Sequence, residues 1–396
     1  MLLIVVCSCK SKNALKESKL VKVELIEKIE NQLKSSPVLQ DDFDFSKRSV
    51  FPRTLDESGD VGLVSKRDWT SGFYPGVLWY SYLLSEKPYW KEKATAFTEL
   101  LESEQLNASN HDIGFKMMSS YGLAYKDTKN EDYKQVLIQS AKTLITRFDE
   151  NIGCIRSWDH HKDKWEFPVI IDNLMNLELL YWAWKETGDA VYLNIANTHA
   201  KTTLKNHFRS DYSTYHVVNY DTITGVAKDK VTHQGYADNS CWARGEAWAL
   251  YGYTMAYRET QDSEFLKQAE YVANYILNVA KLPNDFVPTW DFSLKDVAEE
   301  PKDASAAAVM ASAFYELSTL TTNSENKKEY VSVADKMIAS LSTDNYFNVP
   351  GTGHGFLLKH STGAKPGGGE IDVPLVYADY YYLEALYRKK GILTTN

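Results

Sequence analysis

The sequence predicts an all-α protein in which roughly six helical hairpins close into a ring, and three observations predict it. An aromatic residue followed four positions later by Ala recurs at Trp90/Ala94, Tyr192/Ala196, Phe265/Ala269 and Tyr330/Ala334, and Tyr133 with Ala141 fits the same frame at eight. Such spacings place both residues on one helix face. Several of these segments follow another helical stretch ending in a polar turn: Tyr121 to Thr128 before Tyr133, Tyr181 to Thr187 before Tyr192, and Tyr251 to Thr260 before Phe265. The unit is therefore a hairpin. Finally, strand signals are sparse and read as loop excursions, at Tyr215 to Tyr220 and Phe286 to Trp290. Closure into a ring, rather than an open stack, gives the aromatic and polar residues of the long loops a shared place to converge.

Taken in order along the chain, residues 1–20 read as a lipoprotein-type signal and tether, and 21–396 as one helical domain. Met1 to Ser8 is apolar and ends Val6-Cys7-Ser8-Cys9 before a polar Lys10-Ser11-Lys12, which suits lipid attachment at Cys9 and a periplasmic or outer-membrane location in a bacterium. The run lacks a basic start and is short for a signal, so a longer leader is expected. No later run approaches the roughly 20 apolar residues of a transmembrane helix. The anchors at 90, 133, 192, 265 and 330 recur about every 60 residues, which allows about twelve helices in all. Prolines at 75, 88, 168, 283, 288, 301, 350, 366 and 374 fall at helix starts or in connections.

With 44% hydrophobic and 24% charged residues the chain can fill a core. Its 44 Lys and Arg against 53 Asp and Glu, with no long basic run, argue against nucleic acid as a partner. Twenty-six Tyr and ten Trp exceed what a core needs and suit sugar faces. Cys154 and Cys241 fit neither a zinc site nor a disulfide framework and read as buried thiols.

Three constellations could carry chemistry. His111-Asp112-Ile113-Gly114-Phe115 puts a carboxylate at a predicted helix start, where an ordinary capping Asp is the simpler reading. Ile171-Asp172-Asn173-Leu174-Met175-Asn176 sets Asp and Asn in an apolar stretch, as either a capped helix start or a catalytic acid. The densest runs from Thr232 to Trp248, with Gln234, Trp242, Arg244 and Trp248 at a loop-to-helix junction. Arg244 there suits a bidentate carboxylate or a structural Arg–Asp pair. Asp159-His160-His161 with Asp163 reads as a solvated loop, and no metal, nucleotide or nucleophile-elbow motif is present.

Together these segments resemble glycoside hydrolase family 88, the unsaturated glucuronyl hydrolases. The match includes Trp69 to Gly76 (WTSGFYPG), HDIGF at 111–115, IDNLMN at 171–176 and HVVNYD at 216–221. It continues through THQGYADNSCWARGEAW at 232–248, DASAAA at 303–308, HSTGAKP at 360–366 and EIDVPLVYADYY at the end. The resemblance implies an (α/α)6 barrel, no cofactor and no metal. Its substrate would be an oligosaccharide ending in a 4,5-unsaturated uronic acid, made by a polysaccharide lyase. It implies a catalytic pair of Asp112 and Asp172, with Asp172 protonating C4 and assisting water addition at C5. His111, His216, Gln234, Trp242, Arg244 and Trp248 would line the uronate subsite, with Trp69 as an aromatic wall and Arg244 on the substrate carboxylate. Ser361 and Lys365 would meet the adjoining sugar and any sulfate, while Gly363 stands where a hydroxyl would have helped. The parent polysaccharide, whether chondroitin, hyaluronan, heparin or ulvan, is left open. An unsaturated rhamnogalacturonyl hydrolase is the nearest enzymatic alternative. A sugar-binding lipoprotein on the same barrel would not need both acids, and a helical-repeat scaffold would need an exposed apolar groove.

Overall fold

A computed structural model describes residues 23–395; the signal-like segment and the boundary at residue 20 lie outside the described residues. The helices form two concentric layers. The inner layer comprises α2 (Phe73–Ser85), the composite of α4 (Ile113–Met117), a π-helical turn (Met118–Gly122) and α5 (Leu123–Thr128), α7 (Asn173–Thr187), α9 (Ala243–Thr260), α11 (Ala304–Leu320) and α13 (Val376–Thr395). The outer layer comprises α1 (23–33), α3 (Pro88–Glu99), α6 (Glu131–Ile145), α8 (Ala190–His207), α10 (Ser263–Asn274) and α12 (Ser324–Leu341). Each inner helix packs on the next, and α13 returns to α2. The outer layer closes as well: Trp90 of α3 donates to Glu30 of α1 at 2.8 Å, and Lys28 of α1 pairs with Asp344, just past α12, at 3.0 Å. This is an (α/α)6 barrel.

The aromatic–alanine repeat marks the outer layer. Trp90, Tyr133, Tyr192, Phe265 and Tyr330 and their alanines are all buried, on α3, α6, α8, α10 and α12, facing inward over small residues that let the layers approach. Inner helices lack that periodicity because they are covered on nearly every side; in α9 every residue from Ala243 to Ala256 is buried.

Inner helices pass to outer ones through a repeated turn. Thr128, Thr187, Thr260 and Thr321 each accept, through the hydroxyl, the backbone N–H of Asn130, Asp189, Asp262 and Asn323. Each of those then caps its outer helix by accepting a backbone N–H two residues on. These turns lie at one end of the barrel. Long loops join outer to inner helices at the other end, and all the candidate site residues are there.

Those loops hold the strands. The expected excursion at Tyr215 to Tyr220 is β6 (Val217–Tyr220), central in a sheet between β5 (Pro168–Ile170) and β7 (Ala227–Val231). Phe286 to Trp290 forms no strand; Thr289 makes an isolated bridge with Lys302. A hairpin of β1 (Ser49–Leu55) and β2 (Val61–Ser65) was not expected; it turns through Asp56 to Asp60, with Gly59 at φ +85°. A short pair, β3 (Phe148–Asp149) and β4 (Cys154–Ile155), precedes the sheet. Cys154 and Cys241 are buried free thiols.

Candidate active site

Asp112 and Asp172 stand at the N-cap positions of α4 and α7, yet neither side chain makes a capping bond. Asp189 and Asp262 do so at the starts of outer helices. Capping therefore does not explain the two inner acids. Asp112 lies instead 3.3 Å from His111 Nε2.

Sheet pairing brings His216 to Asp172. Strand β5 runs directly into Asp172, β6 starts just after His216, and Ile171 N–H donates to the His216 carbonyl at 3.0 Å. His216 Nδ1 accepts two backbone N–H groups, from His233 and Gln234, both at 3.1 Å. The ring proton therefore sits on Nε2, which points at Asp172 Oδ2 from 3.8 Å. Burial holds the His216 pKa well below its ordinary value, and His233 and Arg244 add repulsion, so the ring is neutral.

Asp172 is the chemically distinctive group. Burial pushes its pKa up to about 7; the charge of Asp112 adds to the rise, while Arg244 opposes it. Near neutral pH it holds a proton part of the time. Its Oδ2 has no hydrogen-bond partner, and neither do the buried Trp158 Nε1, His216 Nε2, Trp248 Nε1 and Ser361 Oγ. Unpaired buried polar atoms are costly, and those of Asp172 and His216, 3.8 Å apart, mark where a polar ligand would supply the missing partners.

Asn176 ties the two acid-bearing helices together. It accepts the Phe115 N–H at 2.7 Å and lies 3.4 Å from His111 Nδ1. The approach is so close that a Cβ at Gly114 would stand 2.5 Å from Asn176 Cα. Glycine is thus required in HDIGF by contact between helices.

Aromatic rings build the wall and floor. Trp69 packs on Phe73, Phe115 and Tyr377, and Trp248 on Phe115 and Tyr381. Trp242 packs on His216 with the rings tilted and their centroids 4.6 Å apart, and carries the Arg244 guanidinium 4.5 Å from its ring.

Arg244 is anchored on the loop that follows α12. It is 1% exposed, and its guanidinium is committed to Asp303 at 2.6 Å, the Thr362 carbonyl at 2.6 Å and the Gly363 carbonyl. The structural Arg–Asp pair read from the sequence is thus present, and with the loop carbonyls it takes both Nη1 hydrogens and one on Nη2. The contribution of Arg244 here is a fixed positive charge near Asp172 and an anchor for the 361–365 loop. Gln234 donates to the same Gly363 carbonyl at 2.9 Å. Lys365 is likewise engaged, paired with Glu300 and 5.2 Å from the Trp290 ring. At Gly363 a Cβ would lie 2.3 Å from Glu370 Oε2, and Arg53 clamps Glu370 through two bonds of 2.6 and 3.1 Å. A hydroxyl-bearing residue does not fit there without displacing that pair.

Sequence reasoning missed Trp158, Asp303 and Tyr377. Asp303 carried a signal in DASAAA, since it caps α11 as well as holding Arg244. Trp158 carried none, because it sits in a stretch that reads as polar loop. The 159–163 stretch is an exposed loop, as read, in which Asp159 is bound by Arg147 and Arg156 and the His160 ring stacks on Trp158 at 5.0 Å. Among the described residues no group of three or more His, Cys, Asp or Glu side chains has metal-binding geometry, and no helix is long and apolar enough to cross a membrane.

Residues 49–389 match Glycosyl Hydrolase Family 88. The chain is 49% identical to an unsaturated glucuronyl hydrolase of Formosa agariphila over 345 residues, covering 87% of this chain and 85% of that one. It is 33% identical to an unsaturated chondroitin disaccharide hydrolase of Streptococcus pneumoniae, covering 85% and 86%. A crystal structure of an unsaturated glucuronyl hydrolase specific for heparin superposes with TM-score 0.89 at 45% identity, covering 94% of this chain and 97% of that chain.

Proposed function

The chain belongs to glycoside hydrolase family 88, and from that membership we infer an unsaturated glucuronyl hydrolase that removes the non-reducing-end 4,5-unsaturated uronic acid from glycosaminoglycan fragments made by lyases. The observation that carries the mechanism is Asp172: a carboxyl titrating near neutrality, with one oxygen unpaired and a neutral His216 donor beside it.

Asp172 delivers its proton to C4 of the ring's vinyl ether, and positive charge develops at C5 beside the ring oxygen. Water adds at C5 and gives up a proton to the Asp172 carboxylate, restoring the acid. The product is a hemiketal, which opens and expels the neighbouring sugar. No displacement at the anomeric carbon occurs, so the separation of the two carboxylates does not report stereochemistry as it does in ordinary glycosidases. Asp112 supports the cycle through its negative charge, which helps keep a proton on Asp172. Trp69, Trp242 and Trp248 offer flat faces for the sugar, while Gln234 and Arg244 hold the loop that closes over it.

The test is loss of ultraviolet absorbance of the conjugated double bond when the purified protein meets lyase-generated disaccharides from chondroitin, hyaluronan, heparin and ulvan. Loss with at least one establishes hydration and names the polysaccharide. No loss with any, from folded protein that nevertheless binds them, favours a sugar-binding protein. We also propose lipid attachment at Cys9, on the strength of Val6-Cys7-Ser8-Cys9. Incorporation of labelled fatty acid into the full-length chain, abolished by Cys9→Ala, supports it; equal incorporation by the variant refutes it.

A further inference from the structure

Beside the catalytic pair, three exposed imidazoles gather around two buried indoles. His160 stacks on Trp158 with rings 18° apart, and His161 meets His160 at 4.7 Å and Trp165 at 5.7 Å. His233 lies 5.5 Å from His161, 5.6 Å from both Trp158 and Trp165, and 6.4 Å from His216. Trp158 and Trp165 are 8% and 7% exposed, and Trp158 Nε1 is unpaired. His161 is held at φ +56°, a conformation uncommon for a side-chain-bearing residue.

We propose that His160, His161 and His233 recognise an oxyanion substituent, a sulfate ester or a second uronate carboxylate, on the sugars that follow the unsaturated residue. The inference rests on the hydrolase reading above and deepens it. Asp172, His216 and Trp248 are buried, so an oligosaccharide seated by its unsaturated end extends outward, and the imidazoles are exposed beside that path. The cluster is short of negative charge. Asp159 is spent on Arg147 and Arg156, Lys164 adds a cation near His233, and the imidazoles repel one another, so burial and mutual repulsion hold His160 and His233 below the ordinary imidazole range. The carboxylates that oppose this at His160 are Asp159 and Asp112. An oxyanion supplies what the cluster lacks, and the demand grows as the rings take up protons.

The experiment compares binding of an unsulfated disaccharide, its sulfated counterpart and an unsulfated tetrasaccharide carrying a second uronate, at about pH 5.5 and about pH 7.5. It uses Asp172→Asn protein with and without His160→Gln and His161→Gln. Taking affinity ratios between ligands cancels titration common to all of them. The expected result is a preference for one or both charged ligands that rises several-fold at the lower pH and disappears in the histidine variant, with affinity for the unsulfated disaccharide unchanged. Preference for the sulfated disaccharide alone assigns a sulfate site, and for the tetrasaccharide alone a carboxylate site. A ratio indifferent to pH, or equal in both proteins, overturns the proposal while turnover of the unsulfated disaccharide by the unmutated enzyme leaves the hydrolase reading standing. If no ligand binds and the unmutated enzyme turns none over, both readings fall.

Discussion

The two ends of the barrel treat buried polarity in opposite ways. At the end of the short turns, Arg258 is bound by Glu178, Glu259 and Glu316, and Arg388 by Glu316 and Glu384. Arg258, Arg388, Glu178, Glu316 and Glu384 edge a cavity of about 520 Å3, also lined by Trp182, and pair with one another. At the end of the long loops, Trp158, Asp172, His216, Trp248 and Ser361 each keep a buried polar atom without a partner. The closed end uses polar groups to pin helices together. The open end leaves them unsatisfied and so remains receptive.

The largest effect expected from breaking this contrast is at Asp172. Asp172→Asn removes the proton source and should lower turnover by about 10²–10⁴-fold, measured from loss of double-bond absorbance. It should also stabilise the protein above pH 7. Asp172 binds its proton more tightly folded than unfolded, so its contribution to stability declines as pH rises from the ordinary carboxylate range through about 7. Thermal melts at about pH 4 and pH 8.5 check this, with the variant's advantage small at the lower value and large at the higher. An advantage equal at both would mean that the carboxyl is not protonated in the fold. For the same reason kcat/KM of the unmutated enzyme should fall as pH passes through about 7.

A smaller effect, of the opposite character, is expected at the closed end. Arg258→Ala leaves three carboxylates without their common cation and should cost about 2–3 kcal/mol of stability by denaturant titration, less than a fully buried pair because Arg258 is partly exposed. Turnover by the folded fraction should change less than about twofold. A large loss of kcat with stability intact would show the two ends to be coupled. The smallest is Asp189→Ala, which removes the α8 cap and should cost about 1 kcal/mol with no change in activity.

That last pair of aspartates shows how far the sequence could be read. Asp189 and Asp172 both precede a helix, and nothing local separates the one that caps from the one that does not; burial by distant elements decides. The outer layer was legible because each outer helix has one inward face, and a face leaves a period. The inner layer was inferred only by counting hairpins, since helices covered all round carry no stripe, and ring closure came from the loop residues that need a shared place to converge. The β1–β2 hairpin was missed although Asp56 to Gly59 is a turn signal, because Pro52 and the mixed burial of both strands blur the alternation. Arg244 allowed two readings, and the partner of the structural one, Asp303, lies far along the chain. The His160 cluster was unreadable because its indole platform includes Trp165, whose burial depends on the sheet behind it.

The return of α13 onto α2 has a consequence for how the protein is made. Synthesis is vectorial, and Asp112 and Asp172 leave the ribosome with more than half the chain still to come. Their surroundings include Trp248, Asp303 and Ser361, and the inner ring lacks a member until α13 emerges. Until then α2 and α11 expose apolar faces meant for that last helix, so the nascent chain depends on protection from aggregation, and folding ends with a contact between its extremes. Chains released before Val376 should therefore be degraded or aggregated rather than accumulate as a partly active enzyme.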